Sequence, residues 1–200
     1  GIKTVNKMEY PMRWVYYAKL SIVLMVLQLS FLVASKSFAH ELSNGYLTLS
    51  GEDTRQLEGR LSLMPYDLEI EVKLDENFDG DLTWQEVKAA QPGLHDYAAS
   101  VLRFTQQETL CRPDFNDVAM ESISGIDLIA IPFTLTCPTD SALVVSYQGV
   151  FDMEESHKTL LTATIGGASL TDVFTNSHRE SALATDSGTT AWQTITTFVY

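Results

Sequence analysis

Apolar and polar residues alternate along the first part of this chain and again along its last third, and between these stretches the period lengthens. Tyr46-Leu47-Thr48-Leu49-Ser50 alternates, Gly51-Glu52-Asp53 has turn composition, and residues 57–63 alternate again with Leu57, Leu61 and Leu63 on one side. Pro65 stops that second strand. Residues 67–74 then predict a short helix with Leu68, Ile70 or Val72, and Leu74 turned inward, and 83–90 predict another, ended by Gln91-Pro92-Gly93. Leu94, Tyr97, Ala98, Val101, Leu102 and Phe104 recur at helical spacing, which predicts a helix of about 13 residues within 94–107. Strand-like runs return at 118–123, 128–136, 142–151, 159–165 and 169–174, punctuated by Gly125, Pro138 and Gly166-Gly167. This order predicts an α+β fold: an antiparallel β-sandwich-like domain with a helical insert at 67–90.

The two ends differ from this body. Residues 20–35 are a charge-free apolar run, preceded by Lys3, Lys7, Arg13 and Lys19 and followed by Ser37-Phe38-Ala39. Basic flank, apolar run and small residues at the −3 and −1 places predict a secretory signal peptide over 1–39, cleaved after Ala39. The run falls short of the roughly 20 apolar residues of a membrane span, and an uncleaved anchor is the alternative. Residues 40–180 are then an exported β-rich domain and 181–190 a linker of small residues. Residues 191–200, with Trp192, Phe198 and Tyr200, have the aromatic and apolar composition of a membrane-proximal segment.

Charge narrows the function classes. Of 13 basic and 26 acidic residues, 1–39 hold five and one, which leaves 8 against 25 and a net charge of −17. Such a surface argues against nucleic acid and against anionic lipid headgroups. It suits a protein working among divalent cations.

The helical insert carries the densest acidic cluster. Asp75, Asn77 and Asp79 stand two apart, Gly80 follows, and Asp81, Thr83 and Glu86 complete a twelve-residue span from 75 to 86. These are positions 1, 3, 5, 6, 7, 9 and 12 of an EF-hand calcium loop. Calcium takes six to eight hard oxygen ligands. Asp75, Asn77 and Asp79 offer side-chain oxygens, Asp81 its carbonyl, Thr83 a water, and Glu86 two oxygens that close the site. A plainer reading explains part of the span: Asp79-Gly80 is a turn dipeptide, and Thr83 with Glu86 is a capping box. It leaves unexplained why three short oxygen-bearing side chains precede them at alternate positions. One such loop, behind a short entering helix, predicts a structural or low-affinity site.

Two cysteines, Cys111 and Cys137, lie in the exported part. In an oxidising compartment a disulfide between them is the expectation, worth roughly 3–4 kcal/mol for a loop of this length. A second, weaker metal candidate begins at His40, the first residue after cleavage. Its α-amine and imidazole suit Cu²⁺ or Ni²⁺, and Asp152 with His157 would complete a site if the strand at 142–151 returns beside it. The plainer expectation is a solvated His40.

Several of these segments together resemble the HupE/UreJ-like bacterial membrane proteins of the second type. The matching residues are Ala39-His40-Glu41-Leu42, Asp67-Leu68-Glu69-Ile70, the loop through Thr83-Trp84-Gln85-Glu86-Val87, Cys111, Cys137, Phe151-Asp152 and His157-Lys158. The resemblance covers about 38–200. It implies a periplasmic domain followed, beyond Tyr200, by a membrane-embedded half with several helices. The histidines and aspartates of that half, on which transport of nickel or cobalt would rest, are not among these residues.

Three function classes compete. The first is a non-enzymatic, calcium-binding exported domain, with calcium as the bound ion and a membrane-embedded half as its partner. The second is a periplasmic transition-metal capture domain of a permease. The third is a secreted enzyme, for which the sequence has no Gly-X-Ser-X-Gly, no His-Glu-X-X-His and no phosphate loop. Asp152 and His157 have no accompanying nucleophile motif, and a histidine near a strand end is more often a packing or surface residue. The first class is the expectation.

Overall fold

The computed structural model describes residues 44–183, together with Tyr17, Met25 and residues 19–22, which are helical. Residues 1–41 and 42–200 form separate units. The expectations for cleavage at Ala39, for His40 and for 191–200 lie outside the described residues. Among the described residues no helix is long and apolar enough to cross a membrane.

The second unit is α+β. Two strands, β1 (Asn44–Asp53) and β2 (Gln56–Leu63), lead into α1 (Pro65–Val72), α2 (Trp84–Ala89) and α3 (Gln91–Val101). Nine more complete two sheets: β3 (Leu102–Gln106), β4 (Thr109–Leu110), β5 (Arg112–Phe115), β6 (Ala119–Ile123), β7 (Ile126–Thr136), β8 (Leu143–Tyr147), β9 (Lys158–Ile165) and β10 (Ala168–Phe174) in sequence, with β11 (Glu180–Leu183) last. The larger sheet runs β10-β9-β1-β2-β7-β5, with β6 also paired to β7; the smaller runs β11-β8-β3-β4. Phe104 of β3 meets Phe133 of β7 at 5.5 Å between ring centroids, and Tyr147 of β8 meets Phe174 of β10 at 5.9 Å. These rings join one sheet to the other, and the leucines of β1 and β2 are buried beside them. The arrangement is compatible with the sandwich-like expectation.

It is not wholly antiparallel. β1 and β9 pair parallel, from Asn44↔Lys158 to Gly51↔Ile165. Alternation of apolar residues reports which face of a strand is buried and carries no information on direction, so the pattern could not reveal this.

Four local readings also change. The first hairpin turns at Thr54-Arg55, after Gly51-Glu52-Asp53, which stay in β1. Thr54 is buried there, its hydroxyl donating to the carbonyl of Ser141 at 2.9 Å. Pro92-Gly93 open α3 instead of ending α2, because the first helical turn needs no donor from proline. The helix expected to reach 107 stops at Val101. Leu102, Phe104 and Gln106 are buried alternately in β3, and the first two positions satisfy both periods. Finally, Ser181 and Leu183, expected in a linker, are buried in β11.

Cys111 and Cys137 form a disulfide with Cα atoms 4.5 Å apart. The β5–β7 register pairs Arg112 with Thr136, and one step further sets the two cysteines opposite each other. The return between them is the β6–β7 hairpin. Its turn residues Ser124 and Gly125 have φ of 56° and 83°, the left-handed pair of a tight hairpin turn.

Gly59 in β2 lies beneath Phe133, and a Cβ there would sit 2.1 Å from the ring. Gly59→Ala should therefore lower stability by about 1–3 kcal/mol in urea unfolding, by overpacking the core. An unchanged midpoint would show that Phe133 has room to move.

Candidate metal centre

The loop at 75–86 hangs from two buried apolar residues. Leu74, just before Asp75, and Val87, just after Glu86, are each 1 % exposed and belong to the core. Leu82 packs against the same core from inside the loop. Each anchor draws its acidic neighbour inward: Glu86 is only 9 % exposed and Asp75 is half-buried, while Glu76, Asn77, Asp79 and Asp81 face solvent.

Backbone amides organise the acidic side chains. Gly80 N–H donates to Asp75 Oδ2 at 2.9 Å, Asp79 N–H to Asn77 Oδ1 at 2.8 Å, and Asp81 N–H to Asp79 Oδ1 at 2.9 Å. Gly80 has φ 86° with open space where a Cβ would go, so its requirement is conformational. Phe78 also takes a positive φ, 59°, with its ring largely in water. A non-glycine residue there costs of order 1–3 kcal/mol, so the turn is held by the surrounding contacts.

Thr83 caps α2. Its N–H and hydroxyl donate to Glu86 Oε2 at 2.9 and 2.7 Å, and Glu86 N–H returns to Thr83 Oγ1 at 3.3 Å. The capping box of the plainer reading is thus present, and it accounts for one oxygen of Glu86. The other oxygen is different. Among the described residues, three buried side-chain oxygens have no hydrogen-bond partner: Asp75 Oδ1, Glu86 Oε1 and the hydroxyl of Tyr97. Two of the three are the terminal side-chain positions of the twelve-residue span. No ion pair among the described residues uses a carboxylate of the loop. Equally, no three His, Cys, Asp or Glu side chains of the described residues are gathered into a ready metal cluster.

Asp152 and His157 lie in different surroundings. The Asp152 side chain is 95 % exposed, with Arg179 at 3.8 Å. His157 is fully buried. Its Nε2 lies 2.8 Å from Thr159 Oγ1 and 3.3 Å from the Tyr147 hydroxyl, and its Nδ1 lies 3.7 Å from Asp67 Oδ2. The imidazole is a packing residue with both nitrogens facing protein. It is not a surface ligand awaiting Asp152.

Two contacts here had no signal in the pattern. Asp67, 3 % exposed in the first turn of α1, lies beside His157. Glu69 of α1 accepts the N–H of Asp75 at 2.9 Å. Periodicity marks both only as polar positions of a short helix. No family model matches the chain, and no curated protein matches it.

Burial pushes the His157 imidazole down from 6.5 to about 4, with Glu154 acting weakly in the opposite sense. The unfolded chain therefore binds this proton first, and the contribution to stability is complete above pH 6.5 and lost as pH falls toward 4. Urea unfolding from pH 7 to 5 should show falling stability, with a shallower slope in His157→Gln. Equal slopes would mean that other groups carry the dependence.

Proposed function

We propose that residues 75–86 bind one calcium ion, and that the chain is a non-enzymatic, calcium-binding exported domain. In this reading the domain is the periplasmic part of a membrane protein of the HupE/UreJ-like kind. The observation that carries the calcium assignment is the pair of buried, unpartnered oxygens, Asp75 Oδ1 and Glu86 Oε1. A buried carboxylate oxygen without a donor is costly, and a hard cation is the ligand that an oxygen without a proton can satisfy.

The remaining donors fit the same ion. Asn77 Oδ1, the free oxygen of Asp79, the carbonyl of Asp81 and a water near Thr83 are all oxygens, with no sulfur or imidazole among them. Five carboxylates in the span, with no basic residue inside it, repel one another until a cation is shared. Bound calcium supplies electrostatic cross-linking between the two ends of the loop. The chain's own residues supply the rest: Leu74, Leu82 and Val87 hold the span to the core, and Gly80 permits its turn.

The disulfide, the acidic surface and the leader-like pattern at 1–39 support export. Calcium affinities of extracellular modules, on the order of 10⁻⁴–10⁻³ M, suit a site of this kind. Transition-metal capture has weaker support, because His157 is enclosed by Thr159, Tyr147 and Asp67.

Calorimetry with calcium should give one site per chain. Glu86→Gln should weaken it by about tenfold or more, because a charged buried ligand is lost. Asn77→Ala, at a solvent-facing position, should have a smaller effect. Trp84 lies within the span and is partly exposed, so its fluorescence should follow the titration. Absence of binding up to several millimolar calcium would refute the proposal.

A further inference from the structure

Glu69 lies outside the twelve-residue span, six positions before its first member. Its two acceptor groups bridge the end of α1. The carbonyl of Glu69 accepts Lys73 N–H at 3.1 Å, where Lys73 closes the helix in a left-handed conformation. Its carboxylate Oε2 passes that closure and accepts Asp75 N–H at 2.9 Å. The residue thus holds the chain at two points, one on each side of the turn that delivers Asp75.

The other end of α1 is fixed. Leu68 is fully buried and Asp67 nearly so, beside His157. Glu69, one position further along, is therefore carried on a rooted helix and not on a mobile loop. We propose that Glu69 is a positioning residue for the calcium loop. Its carboxylate orients the backbone at Asp75 so that Oδ2 meets Gly80 N–H while Oδ1 stays inward and unpartnered. This rests on the calcium reading, and it adds a residue that the spacing of the loop does not contain.

A positioning role differs from a ligand role in what it requires of position 69. The amide N–H of Asp75 needs an acceptor, which glutamine offers as well as glutamate. A direct ligand would need the negative charge. Exposed Glu71, on the same helix, calibrates the effect of removing one negative charge from α1.

The test is calcium calorimetry on the 200-residue chain carrying Glu69→Ala, Glu69→Gln or Glu71→Ala, with each melting temperature measured in chelator. Glu69→Ala is expected to weaken calcium binding about tenfold, the loss of a hydrogen bond to a charged acceptor. Glu69→Gln should match Glu71→Ala, each within about threefold of the parent, since only one distant charge is gone from both. Melting temperatures in chelator should show whether Glu69→Ala is folded before calcium is added. Parent affinity in Glu69→Ala would overturn the positioning role and leave the calcium site standing. Equal losses in Glu69→Ala and Glu69→Gln would overturn it in favour of direct ligation. A Glu69→Ala chain unfolded in chelator and unrescued by Glu69→Gln would also overturn it, as a general structural role. No calcium binding by the parent chain would overturn the site itself, and this role with it.

Discussion

A carboxylate oxygen buried without a donor costs about 1–3 kcal/mol, more when charged, and the helical segment accepts this cost twice within twelve residues. The cause lies in the neighbours. Leu74 and Val87 are core residues, and burying them draws Asp75 partly and Glu86 almost wholly beneath the surface at opposite ends of one loop. Moving either carboxylate into water would draw an apolar anchor out with it. Core packing and loop chemistry are therefore set by the same few peptide units.

The two sheets give those anchors something to hold. α1 and α3 pack against β7, whose residues Leu128, Ile129, Ala130 and Ile131 are buried in succession instead of alternately. β7 is also the strand tied by the disulfide through Cys137 and flanked by β2, β5 and β6. α1, which leads into the acidic loop, thus rests on a strand that pairs with three others of the larger sheet. Asp67 adds a polar root at the other end of α1, beside His157 and the Tyr147 hydroxyl. The calcium reading gives a purpose to an otherwise expensive arrangement: a loop held rigidly enough that its inward oxygens stay inward.

Much of this was legible in the residues. Period 2 located β1, β2, β9 and β10 because each has one more deeply buried face, and turn residues separated these strands and β7. The capping box at Thr83 and Glu86 is a local motif, so its spacing predicted its geometry. The cysteine pairing followed from there being two cysteines around one hairpin. What escaped was non-local. Leu102 and Phe104 fit a helix as well as a strand, and only pairing with β8 decides between them. The parallel direction of β9 depends on where the chain returns after β8, which no local pattern encodes. His157 read as a packing or surface residue or a ligand candidate, and the choice among these is made by Asp67, Tyr147 and Thr159, which the fold brings together. In the candidate site the spacing marked the residues proposed as calcium ligands, while the hydrogen bond from Asp75 N–H to Glu69 became visible only with the end of α1 in place.

The central claim is that Asp75 Oδ1 and Glu86 Oε1 share one ion. A crystal structure of the protein grown in calcium, with anomalous scattering used to locate the metal, tests it most directly. The account predicts a single peak within about 2.3–2.6 Å of both oxygens, the range of calcium–oxygen bonds. A calcium-saturated crystal with no peak between them, and with both oxygens still lacking a partner, would contradict it.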